Sequence, residues 1–228
     1  MKNNKFKVVQ SLVAVVAAAM MIGSASAGIV YDNSSVYSGK FFVPVTGLEF
    51  GDEINLVGSE RNITDFKFEY FTSLASEVGR TAQLRIYANN GAVSPGVDQH
   101  GALRPGSVLY DSGTFGLKNG FNTVDISGIS VLNVPNKLTW TVFFGGLSGS
   151  DSAGLPIYET PTSGTSLDDF WQNSGGTWTL FRFPGGSPKG NFAAQVTAIP
   201  EASTVYLALA GGVLLFGFQI FRRSVKRA

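Results

Sequence analysis

Residues 63–70 read Ile-Thr-Asp-Phe-Lys-Phe-Glu-Tyr, so that Phe66, Phe68 and Tyr70 alternate with Asp65, Lys67 and Glu69. A period of two sends successive side chains to opposite faces of an extended strand, whereas a helix would scatter these charges into its apolar stripe. One apolar face and one charged face describe an antiparallel strand with a core on one side and water on the other. The alternation returns in Ala82–Tyr87, with Ala82, Leu84 and Ile86 inward. It returns again in Leu138–Phe144, where Leu138, Trp140, Val142 and Phe144 share a face. Phe192, Ala194 and Val196 form a last inward row. No stretch of residues 28–198 carries a convincing helical period.

Further strands are expected over 41–50, 53–58, 107–115, 121–127, 155–159 and 177–183. Asn89-Asn-Gly91, Asn119-Gly120, Gly145-Gly146, Gly175-Gly176 and Pro184-Gly-Gly186 supply turns between segments. Nine or ten short strands so spaced predict an all-β domain, an antiparallel two-sheet sandwich with jelly-roll-like layout. Composition agrees, with 28 Gly, 18 Phe and only 14% charged residues. No sequence repeat recurs at a fixed period, which argues against propellers and solenoids. The chain has no cysteine, which removes disulfide frameworks, thiolate metal sites and Cys nucleophiles together.

Both ends read differently from this body. Lys2, Lys5 and Lys7 open the chain, an apolar run from Val8 to Gly23 follows, and Ala25-Ser26-Ala27 presents small residues before Gly28. That order predicts a signal peptide over 1–27, with signal peptidase reading Ala25 and Ala27 and leaving Gly28 as the new N-terminus. At the far end Val205–Phe221 is 17 residues with Gln219 its strongly polar member, and Arg222, Arg223, Lys226 and Arg227 follow. Such a span just crosses a hydrocarbon core as a helix, and the basic cluster keeps its end cytoplasmic. The body between is then expected outside the inner membrane. It carries 10 basic and 15 acidic groups, a poor complement to phosphate, so nucleic acid is not an expected partner.

Directly before the span stands Ile199-Pro200-Glu201-Ala202-Ser203-Thr204. Pro-Glu, a short Ser/Thr step, a Gly-containing apolar helix and an Arg-rich terminus resemble the PEP-CTERM sorting signal of Gram-negative bacteria, with Ala202 where that family usually carries Pro. The resemblance covers 199–228, with the transmembrane segment at 205–221 and the basic tail at 222–228. It implies an exosortase as partner, which removes the tail near Pro200-Glu201 and delivers the body to the cell surface or extracellular matrix. Its signal residues here are Pro200, Glu201, Ala202, Ser203, Thr204, Arg222 and Arg223. The body, 28–198, is also similar to a group of PEP-CTERM outer domains, through Phe50–Leu56, Arg85–Ala88, Leu109–Gly113, Leu138–Trp140 and Asp168–Trp171. That second likeness brings no activity with it.

Chemistry in the body is sparse. His100 is the only histidine, in a Gly/Pro-rich loop, and no Gly-x-Ser-x-Gly elbow accompanies it. Asp52-Glu53 and Asp168-Asp169 are adjacent acids. Glycoside hydrolysis needs two carboxyl groups facing across a cleft, and calcium needs carboxylates with carbonyl oxygens from loops. No cofactor is called for; if these acids hold anything, Ca²⁺ suits them best, on Asp52, Glu53, Asp168 and Asp169. Tyr158, Trp171 and Trp178 lie in turn-rich sequence and are the rings placed to stack on sugar. The expectation is a non-enzymatic exported protein with a structural outer domain. The alternatives are a carbohydrate-binding module acting in extracellular polysaccharide, or a surface glycoside hydrolase.

Overall fold

Among the described residues thirteen strands run in chain order as β1 Gly28–Asp32, β2 Tyr37–Phe42, β3 Glu49–Asn55, β4 Asn62–Ser73, β5 Thr81–Ala88, β6 Val108–Gly116 and β7 Gly120–Val131. They continue as β8 Lys137–Gly145, β9 Ser152–Tyr158, β10 Thr165–Ser166, β11 Phe170–Ser174, β12 Thr177–Phe181 and β13 Ala194–Ile199. The computed structural model describes residues 26–45, 47–94 and 102–201. Ala27–Pro200 make up one unit. The fold is all-β, with two antiparallel sheets.

In the first sheet β4 pairs with β7 along one edge. Its other edge is shared end to end by β13, opposite Asn62–Phe68, and β9, opposite Phe71–Ser73. β1 lies outside β13 and β2 outside β9. The second sheet runs β6-β5-β8-β3, and the far edge of β3 is shared by β11 and β10, with β12 outermost.

The inner faces meet in one core. Phe66 and Phe68 of β4 pack on Trp140 of β8 at ring separations of 5.5 and 5.9 Å. Phe42, Phe50, Phe170 and Phe192 close the opposite end, with Phe50 5.2 Å from Phe42 and 5.7 Å from Phe192. All four inward residues of β8 are buried, as are those of β4 and β5. Alternation thus reads correctly wherever it is strict, because only one parity can face a dry interior.

Strand limits are corrected in several places. The expected strands 41–50 and 53–58 are β2, ending at Phe42, and a continuous β3 through Gly51-Asp52. The turn falls instead near Gly47, whose φ of 87° suits a residue without Cβ. Gly51 is no break: a Cβ there would be driven into the Trp140 carbonyl oxygen, so close strand packing requires glycine. β7 runs on to Val131, and β1 and β11 are strands the alternation did not reveal, being five residues each.

The signal peptide through Ala25, His100, and the sorting signal from Ala202 through the 205–221 span to Arg222 and Arg223 lie outside the described residues. Among the described residues no helix is long and apolar enough to cross a membrane.

Candidate functional site

The face of the second sheet turned away from the core carries Glu49, Gly51 and Glu53 of β3, Thr139 and Thr141 of β8, and Arg85 and Tyr87 of β5. Trp171 and Asn173 of β11 continue it, since Trp171 pairs with Gly51 and Asn173 with Glu49. Trp178 of β12 pairs with Asn173 and shares the face. An outward face of a flat sheet would be wet, yet Glu49, Glu53, Tyr87, Thr139, Thr141 and Trp171 are all buried.

Curvature explains this. Tyr87 and Trp178 stand four strand steps apart, roughly 19 Å on a flat sheet. Their rings nevertheless meet edge to face at 5.3 Å. The sheet therefore curls until this face is concave, with Trp178 half-buried over its rim.

Glu49 is the hub. One carboxylate oxygen accepts from the Tyr87 hydroxyl at 2.8 Å and the Thr141 hydroxyl at 2.6 Å. The other accepts from the Arg85 guanidinium at 3.2 Å and the Asn173 amide at 3.3 Å. Arg85 also reaches Asp111 at 2.9 Å, so its guanidinium bridges two carboxylates. Burial pushes the Tyr87 phenol above its ordinary value, and its hydrogen bond to Glu49 adds to the rise. Glu53 is held similarly, by Lys137 at 2.7 Å and the Asn89 amide at 2.7 Å, with the Trp171 indole N–H at 3.4 Å. Beside Glu49 opens a cleft of about 250 Å³ lined by Gln83, Arg85, Phe143, Asn173 and the Gly175-Gly176 turn. Such a cleft offers amide and guanidinium donors around one aromatic ring.

Of the residues singled out in the sequence, Trp171, Trp178 and Glu53 meet on this face. Tyr158 does not: it lies on the first sheet, its hydroxyl donating to Glu69 at 2.6 Å and its ring 5.6 Å from Tyr37. Burial, then Glu69, raises its phenol. Phe41, Phe71 and Phe121 extend that ring group, with Phe41 stacked on Phe71 at 4.6 Å. Asp52 and Glu53 are also separated, since neighbours in a strand point to opposite faces: Asp52 enters the interior and Glu53 the concave face. Asp168 pairs loosely with Arg182 and Lys189, each at 3.8 Å, while Asp169 is buried. The two acidic dipeptides thus do not act as pairs, and among the described residues no three His, Cys, Asp or Glu converge. Glu49 and Asn173 went unnoticed in the sequence, and Arg85 and Tyr87 entered only within the Arg85–Ala88 stretch, with no role in a site. Their one signal was polar or amphipathic side chains on the non-core parity of β3, β5 and β11, and nothing local says that these strands share a face.

Of the processing residues, Ala27, Gly28, Pro200 and Glu201 are described. Gly28 lies across from Ala198 in the β1–β13 pair, so the two ends of the unit leave side by side. The Asn62 amide donates to the Pro200 carbonyl at 3.4 Å. No family model matches this chain, and neither a curated protein nor a solved structure matches it.

Proposed function

We propose that this is an exported bacterial protein whose jelly-roll-like sandwich becomes a surface or extracellular-matrix component after C-terminal sorting. A signal peptide over 1–27 directs export, a membrane helix over 205–221 holds the precursor, and an exosortase removes the tail near Pro200-Glu201. The supporting observation is that the folded unit, Ala27–Pro200, begins and ends at the two expected processing points. Neither cut opens the core, because Gly28 and Ile199 terminate β1 and β13. The β1–β13 pairing also sets those two points side by side, with Gly28 opposite Ala198. Its role is structural, without catalysis.

Intact-mass and terminal-peptide mass spectrometry on the protein from its own cells tests this. The surface form is expected to begin at Gly28 and to lack everything beyond about Glu201. A main species that retains Phe221–Ala228 in the inner membrane would mean a permanent anchor and refute sorting.

A second reading, carbohydrate binding in surface polysaccharide, is favoured by one observation: the concave face sets the half-buried Trp178 ring near the Arg85–Glu49–Asn173 donors and acceptors. A ring beside such groups suits a sugar, which presents an apolar face with a polar edge. On this reading Trp178→Ala is expected to lose about 1–3 kcal/mol, a drop of roughly five- to 150-fold in affinity for surface polysaccharide. Equal retardation of wild type and variant in polysaccharide-loaded native gels would remove this reading.

A further inference from the structure

The carbonyl of Pro200 belongs to the peptide bond that joins it to Glu201, where the tail is expected to be cut. That carbonyl is tied to the fold. The Asn62 side-chain amide donates to it at 3.4 Å, while the oxygen of the same amide accepts from the Asn133 backbone N–H at 3.0 Å. Asn62 is thus fastened on its other side to the turn that follows β7, where the Val134 N–H also donates to the Arg61 carbonyl at 2.9 Å.

The residues before the bond are held more firmly. On β4, Ile199 lies opposite Asn62 and Ala198 opposite Ile63; on β1, Ala198 lies opposite Gly28 and Thr197 opposite Ile29. Ala198 and Ile63 have no exposed surface. Thr64 adds a side-chain tie, its hydroxyl donating to the Thr197 carbonyl at 3.4 Å where the β13–β4 register shifts. Pro200 has no N–H with which to extend the ladder, so β13 stops at Ile199.

Cutting this bond makes two demands that the folded end does not meet. An enzyme binds an extended segment by adding it to a strand edge of its own, and Thr197 and Ala198 have both edges taken. The enzyme's nucleophile then adds to the Pro200 carbonyl carbon, the bond to the Glu201 nitrogen breaks, and that nitrogen leaves with the proton the nucleophile gave up. As the carbon becomes tetrahedral its oxygen must turn to donors of the enzyme, whereas here it is turned to Asn62. One motion meets both demands, release of the last residues of β13, and strand ends open locally at less cost than the whole domain unfolds.

We propose that the folded domain holds the Pro200–Glu201 bond closed to the sorting enzyme, that tail removal from the folded precursor waits for the end of β13 to leave β4, and that Asn62 sets how often it does. This rests on the sorting reading above and adds a condition to it. When opening and closing are fast relative to cutting, the rate follows the population of the open end, so weakening the tie speeds the cut.

The test is release of the tail from the full-length chain, purified folded in detergent and mixed with a detergent extract of inner membranes from its own cells, followed by intact mass. A Gly-Ser-Gly-Ser insertion between Ile199 and Pro200 gives the enzyme unpaired residues before the bond and leaves every strand and the sorting motif intact. It should lose its tail about tenfold faster than wild type or more, with an unchanged Tm. Asn62→Asp keeps the acceptor for Asn133 and removes the donor to Pro200, and should speed release about two- to tenfold. An insertion variant no faster than wild type overturns this inference and leaves sorting in place. A fast insertion variant with Asn62→Asp at the wild-type rate overturns the role given to Asn62. Retention of the tail by every form, the insertion included, is the failure of sorting itself, and the inference falls with it.

Discussion

Trp140→Ala is expected to destabilise the domain by about 3–5 kcal/mol, a third or more of what a domain of ordinary stability possesses. Trp140 has no exposed surface and stands at the middle of β8, between β3 and β5. Its ring packs on Phe66 and Phe68 of β4 in the first sheet, beside the smaller contacts that Phe68 makes with Phe115 and Tyr70 with Phe144. Truncation removes one of two fully buried tryptophans and leaves a cavity that the flanking strands cannot close, because their spacing is set by backbone ladders. Urea unfolding followed by far-UV circular dichroism reads the change. A loss under about 1 kcal/mol would mean that the two sheets are held together elsewhere.

Glu49→Ala is the second large effect, about 3–5 kcal/mol, and arises from charge and hydrogen bonding instead of volume. Glu49 accepts from four side chains on three strands, β5, β8 and β11, so alanine leaves the Tyr87 and Thr141 hydroxyls and the Asn173 amide without an acceptor. Arg85 keeps Asp111, which limits the loss on its side. Each buried polar group so stranded costs more than its bond contributed. Glu49→Gln retains one accepting oxygen at the same volume and should cost about 1–2 kcal/mol. The contrast is the measurement: equal losses for alanine and glutamine would show that packing, not the acceptor, holds the concave face. Glu49→Ala should also widen the cleft beside Arg85, so any polysaccharide retardation should change with it.

Much of the fold was legible because parity is local. In 63–70, 82–87 and 138–144 an alternating strand declares its own inner face, and the structure buries those residues. Parity also explains the misreading around Gly51. Cutting the strand there hid the fact that Phe50, Asp52 and Ile54 share a face, and with it the buried position of Asp52. Trp171 and Trp178 were visible as candidates, but their meeting with Glu49 and Arg85 was not.

The strand-forming segments, the inward rows, the acidic body and the two unlike ends can all be read from the order of residues. The tertiary structure alone decided which strands are neighbours, that β3 and β4 each share an edge between two short partners, and that the second sheet curls until Trp178 touches Tyr87. The reason is physical. Side-chain alternation is written in each segment, whereas the backbone ladders that join strands use N–H and C=O groups common to every residue. Partner choice, register and curl then follow from how all the inner rows pack at once, and no single segment carries that information.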